Sequence, residues 1–62
     1  MVDRIMWAAA LSLIQKHGSA AAAWALEQAH ALRAAGDVKG GLIFECLHDC
    51  VERLQARKRA AH

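Results

Sequence analysis

Apolar residues recur every three or four positions along most of this chain, the spacing that places them on one face of an α-helix. Glycines separate three such segments, which predict helices over about 3–17, 19–35 and 38–58. No run of alternating apolar and polar residues favours a β-strand. Because the connections are only a few residues long, consecutive helices should run antiparallel. The pattern therefore predicts an all-α fold, a small antiparallel three-helix bundle.

Residues suited to helix ends stand at the predicted boundaries. Asp3, Ser19 and Asp37 each precede a helix, where a side-chain oxygen can accept a hydrogen bond from an unpaired amide of the first turn. Gly18 and Gly36 follow the first two helices, at the position that often adopts a left-handed conformation. The caps and the helical periodicity therefore predict the same three elements.

The predicted core is thin. The first helix carries a broad apolar stripe of Met6, Trp7, Ala10, Leu11, Leu13 and Ile14. The second has mostly alanine in its stripe, namely Ala22, Ala25, Leu26, Ala29 and Leu32. The third has Ile43, Cys46, Leu47, Cys50, Val51 and Leu54, and begins with Gly40 and Gly41, which weaken its first turn unless they permit close packing. A domain of 62 residues is marginal even with a good core, so a second copy is expected to add burial.

One tryptophan lies outside these stripes. At about 100° per residue, Trp24 falls almost opposite the alanine stripe of its helix, beside Ala20, Ala31 and Ala35. Large aromatic residues are enriched as anchors of protein interfaces. The alternative is that Trp24 folds over a loop or the first helix and completes the core of a single chain. We predict an interface formed by Trp24, Ala20, Ala31 and Ala35, through which the chain makes a homodimer.

The charge of the chain is unevenly distributed. The net charge is +2, and the segment 53–62 carries Arg53, Arg57, Lys58 and Arg59 with no acidic residue. Such clusters attract nucleic-acid phosphates, so one alternative function is a small nucleic-acid-associated regulator that uses this basic tail. The tail has no interleaved aromatics, and the third helix begins with apolar residues unsuited to a major groove. Solubility and a favourable interaction with the helix dipole explain the basic tail more simply. We expect the chain to fray over about 57–62.

Two cysteines stand four residues apart. Cys46 and Cys50 are expected on the same face of the third helix, which suggests, as a further alternative, a zinc-binding helical protein. Their spacing fits no familiar zinc finger, and His48 is expected on the other side, as a surface residue. Reduced thiols packed in the core are the simpler interpretation, so we predict no metal and no cofactor. A bundle this small has little room for a substrate cleft, and we predict that it is not an enzyme.

The first apolar run is too short to span a bilayer. Asp3 before this run, and Lys16 and His17 after it, argue against a secretory signal. We therefore expect a cytoplasmic protein with no membrane partner.

A longer pattern suggests a relationship. W-A-A-A-L-x-L-I-x-x-H-G over residues 7–18, followed by L-x-x-A-G-D over 32–37, resembles a group of short bacterial proteins from α-proteobacteria and their mobile elements. In that group an aromatic, often Trp, follows the Gly-Asp pair, and here Leu42 or Phe44 occupies that region. The resemblance implies a single helical domain over 1–62 and no known activity. Taken together, the sequence predicts a non-enzymatic protein-interaction module that self-associates and binds a macromolecular partner.

Overall fold

Helices make up nearly all of the part of the chain that the computed structural model describes, residues 4–60. They are α1 (Arg4–His17), α2 (Ala21–Ala34) and α3 (Val38–Ala60), with one turn of 3-10 helix, Gly18–Ala20, between α1 and α2. No strand occurs within residues 4–60, so the predicted all-α class is confirmed. The predicted cap Asp3 lies outside the described residues. Helix α3 extends to Ala60, two residues beyond the predicted end at 58.

The turn between α2 and α3 follows the predicted cap chemistry. Gly36 has a φ of +89°, a left-handed conformation that costs a residue with a Cβ more than it costs glycine. Its N–H donates to the Arg33 carbonyl at 3.0 Å, and the Asp37 N–H donates to the Leu32 carbonyl at 2.8 Å. These two bonds make the Schellman motif that ends many helices. Asp37 then caps α3, because its Oδ1 accepts the Gly40 N–H at 2.8 Å.

The junction between α1 and α2 differs from the prediction at one residue. Gly18 ends α1 with a φ of +57°, as expected. Ser19, however, lies inside the 3-10 turn, and the N-cap position of α2 is Ala20, with no side-chain cap. Because the 3-10 turn continues to Ala20, Ser19 lies one residue before the N-cap position of α2 and its hydroxyl does not cap that helix. The Gln55 side chain of α3 secures this junction instead, donating from Nε2 to the Gly18 carbonyl at 3.0 Å.

Helix α3 organises the packing. It contacts both α1 and α2 extensively, whereas α1 and α2 contact each other little. A single buried cluster joins all three helices and consists of Ala10, Ala21, Leu47, Cys50 and Val51. Trp7 is half-buried against this cluster, with Met6, Leu13 and Ile14, as predicted for the stripe of α1. Leu11, from the same predicted stripe, is exposed.

Small residues bring α2 and α3 close together. Ala25 and Ala29 are fully buried. A Cβ added at Gly41 would lie 2.7 Å from the Arg33 Cγ and 3.3 Å from the Ala29 carbonyl oxygen. Gly41 therefore permits the close approach that the sequence suggested as the alternative to a weak first turn.

Candidate interaction surface

Trp24 lies beside the buried line of α2 and not opposite it. That line is Ala21, Ala25 and Ala29, shifted around the helix from the predicted stripe. The Trp24 ring is half-buried and stacks on the His17 ring, with centroids 4.7 Å apart and planes 17° apart. Its other contact is an edge-to-face pairing with Phe44, at 5.9 Å and 64°. Trp24 thus joins the end of α1, α2 and α3 within one chain.

The alanines predicted to surround Trp24 are at the surface. Ala20, Ala31 and Ala35 are all exposed. Ala20 lies four residues before Trp24, Ala31 lies seven residues after it and Ala35 four residues further on, a spacing that keeps them near one helix face. The indole ring itself is engaged with His17 and Phe44, so the part of this predicted interface that remains open is mainly alanine.

A second apolar surface lies on the outer side of α3, and the sequence pattern missed it. Val38, Leu42 and Ile43 are 63%, 50% and 52% exposed, and Cys46 is exposed beside them. Val38, Leu42 and Cys46 follow each other at four-residue spacing, and Ile43 adjoins them, so the four side chains form one patch. We name this patch the α3 face.

The α3 face corrects two predictions about the core. Ile43 and Cys46 were assigned to the buried stripe of the third helix, and both are exposed. Side chains of α1 pack against the cluster around Leu47, Cys50 and Val51. Ile43 and Cys46 come before that cluster, in the part of α3 that α2 covers from one side.

Charged residues stand at both ends of the α3 face. Lys39 lies three residues before Leu42, and Asp49 lies three residues after Cys46. Both are exposed. At the edge toward α2, Glu45 accepts from the Arg33 guanidinium at 2.7 Å. The face therefore has an apolar centre with a positive end and a negative end.

The two cysteines have different surroundings. Cys46 is exposed, Cys50 is buried in the core, and no disulfide links them. The prediction that both thiols pack in the core is therefore wrong for Cys46, whereas Cys50 is a core residue as expected. Within residues 4–60, no group of three or more His, Cys, Asp or Glu side chains is arranged to hold a metal ion.

His48 is a structural residue that the sequence placed at the surface. Its ring is half-buried, and Nδ1 lies 3.0 Å from the Ala22 carbonyl oxygen. A carbonyl oxygen only accepts, so Nδ1 carries the proton in this contact. Nε2 lies 3.7 Å from the Glu52 carboxylate. His48 therefore ties α3 to the first turn of α2.

The four basic residues of the predicted nucleic-acid site are all exposed, and two of them line a cleft. Arg53 and Arg57 are one helical turn apart and exposed. Lys58 and Arg59 instead line a cleft between α3 and the end of α1, together with Leu11 and Ile14. The fold thus divides the cluster into two pairs.

Comparison with known proteins adds no relative. The sequence matches no protein-family model, no curated protein and no solved structure. Within the described part of the chain, no helix combines the length and apolarity that crossing a membrane requires. The functional interpretation therefore depends on the geometry of the α3 face and its surroundings.

Proposed function

We propose that this chain is a non-enzymatic protein-interaction module that acts as a homodimer through the α3 face. The observation that carries the proposal is that small side chains fill the core while larger apolar side chains stay at the surface. Four of the seven buried core residues are alanines, while Val38, Leu42 and Ile43 remain half or more exposed in one patch. Fully burying such a side chain contributes about 1.5–3 kcal/mol, so covering the exposed half of two of them contributes about the same. That is a large fraction of the roughly 3–5 kcal/mol that so small a core supplies.

The charges around the α3 face favour a second copy as its occupant. A two-fold interface brings the same patch of both copies together, so the patch must be complementary to itself. In an antiparallel pair of α3 helices with Leu42 opposite Cys46 of the other copy, Lys39 meets Asp49 of the other copy. Both pairs occur twice across the two-fold axis. A parallel pair would instead place like charges side by side, which is unfavourable.

The surface predicted from sequence is a second location for the same function. Trp24 with Ala20, Ala31 and Ala35 offers close approach of a helix. It has less large apolar surface to bury, because the Trp24 ring already contacts His17 and Phe44. The α3 face is therefore the better supported of the two.

Sedimentation equilibrium of matched variants tests the location. Leu42→Ser removes apolar area from the α3 face, and we expect the dimer to weaken by about tenfold or more. Ala31→Ser makes a polar change on the Trp24 side, and we expect no change in dimer affinity. The reverse result, with Ala31→Ser weakening the dimer and Leu42→Ser leaving it intact, would place the interface on α2.

A charge exchange tests the antiparallel geometry. Lys39→Glu and Asp49→Lys should each weaken the dimer, since each puts like charges opposite one another. The double variant restores the attraction with the signs exchanged, so its dimer affinity should return toward wild type. Additive losses in the double variant would contradict the antiparallel pairing.

The remaining expectations extend this proposal. The antiparallel order of α2 and α3 supports an antiparallel three-helix bundle within each copy, and the cytoplasm remains the proposed location. Four expectations stay predictions. They are a further macromolecular partner, zinc binding through Cys46 and Cys50, nucleic-acid binding through the basic tail, and a relationship to the short α-proteobacterial proteins.

A further inference from the structure

A cleft between the ends of α1 and α3 combines an apolar floor with a basic rim. Its volume is about 430 Å³, and the floor consists of Leu11, Ile14 and Leu54. Pockets for small ligands have volumes of roughly 300–1,000 Å³ and are mostly apolar with a few polar groups. This cleft therefore has the size and composition of a ligand site, and it is separate from the α3 face.

The rim carries positive charge that no acidic side chain of the described chain neutralises. Lys58 and Arg59 lie on the rim. Within residues 4–60, neither forms an ion pair, since the acidic partners found are Glu45 with Arg33 and Glu52 with His48. Arginine binds a carboxylate through two parallel hydrogen bonds, and lysine adds a mobile point charge. The pair is thus suited to one small anionic group.

The cleft also has a neutral polar part. Ser19 and Gln55 line it. The Gln55 side chain is held in place by its bond to the Gly18 carbonyl at 3.0 Å. The cleft therefore combines apolar, neutral polar and cationic side chains.

We propose that this cleft binds a free alkyl carboxylate with a single chain, the anion of a medium-chain fatty acid. The chain lies on Leu11, Ile14 and Leu54, and the carboxylate lies between Lys58 and Arg59. A small inorganic anion leaves the apolar floor unused, and a neutral or cationic amphiphile leaves the two positive charges unmatched. The proposal is independent of the α3 face, because the two surfaces lie at opposite ends of α3.

Calorimetric titration with decanoate, below its micelle concentration, tests the proposal. We expect saturable binding of decanoate by the wild-type chain and none of decyltrimethylammonium, which has the same chain and the opposite charge. Lys58→Glu combined with Arg59→Glu should weaken decanoate binding by about tenfold or more. Leu11→Ser, at an exposed floor position, should weaken it also. Circular dichroism establishes that each variant remains helical.

The matched control is Arg53→Glu combined with Arg57→Glu. It makes the same change of charge on the same helix but outside the cleft, so decanoate affinity should stay at the wild-type value. Equal weakening by both double variants, equal binding of the cationic amphiphile, or no binding of decanoate would overturn the proposal. So would binding to vesicles containing anionic lipid without binding of free decanoate, because that result assigns the charges to a membrane surface.

Discussion

The two halves of α3 present the same kind of side chain to very different surroundings. Ile43 and Leu54 are 11 residues apart, about three full turns, so they lie on nearly the same side of the helix. Leu54 is half-buried against the cluster that includes α1, whereas Ile43 is 52% exposed. The two residues differ in exposure because neighbouring helices cover one and not the other, and not because the periodicity of α3 changes.

This comparison shows what an amphipathic stripe specifies. The stripe identifies which side of a helix is apolar, but not how far along the helix a neighbour covers it. In the C-terminal half, α1 and α2 both pack on α3. Helix α2 approaches the first turn of α3 through Gly41, but neither helix covers Val38, Leu42, Ile43 and Cys46, and these exposed residues form the α3 face.

The largest expected effect separates two leucines of the same helix. Leu47 is 7% exposed and Leu42 is 50% exposed. Leu47→Ala should lower the free energy of unfolding by about 2–4 kcal/mol, because a buried leucine leaves a cavity. Leu42→Ala, measured by urea unfolding at a concentration where the chain is monomeric, should change it by less than about 0.5 kcal/mol.

Equal losses for the two leucine variants in the monomer would contradict the division of α3. A loss at Leu42 that grows with protein concentration would sharpen it, because that loss then belongs to the dimer.

A smaller effect is expected where α3 is tied to α2. His48→Ala removes the hydrogen bond to the Ala22 carbonyl and should cost about 0.5–1.5 kcal/mol of unfolding free energy. His30→Ala is the control, since His30 is exposed on α2. Thermal unfolding of both variants measures the difference. Similar midpoints for the two variants would show that the contact between His48 and α2 contributes nothing.

The smallest expected effect concerns the cap at the start of α3. Asp37→Ala removes the oxygen that accepts the Gly40 N–H and should cost about 1 kcal/mol. Asp37→Asn keeps an accepting oxygen and should cost less. Denaturant midpoints of the pair decide whether the cap itself stabilises the uncovered half. If both variants lose the same stability, the negative charge and not the hydrogen bond is responsible.

Local chemistry made the helix boundaries predictable. Gly36 and Asp37 specify a turn through their own backbone and side chain, so the end of α2 and the start of α3 follow from the sequence. It was harder to predict which side of α2 faces the core. The four alanines at 20–23 put the same small side chain on every side of the helix. Without that contrast, the pattern places Trp24 almost opposite the apolar stripe, whereas it lies beside the buried line of Ala21, Ala25 and Ala29.

Long-range contacts lay beyond the sequence pattern. His48 bonds to a carbonyl 26 residues away, and backbone carbonyls carry no signature in the sequence. The exposure of Ile43 and Cys46 depends on how α1 and α2 pack on α3, which no local periodicity encodes. Which apolar residues of α3 stay exposed therefore follows from the packing of the helices and not from the sequence pattern.

The most direct test of the central claim is the thermal unfolding midpoint of the wild-type chain as a function of its concentration. A protein stabilised by association unfolds at a temperature that rises with concentration. We predict such a rise over a range of about 100-fold in concentration, and its reduction in Leu42→Ser. An unfolding midpoint that is the same at every concentration would contradict the account, because a single copy would then be as stable alone as in a dimer.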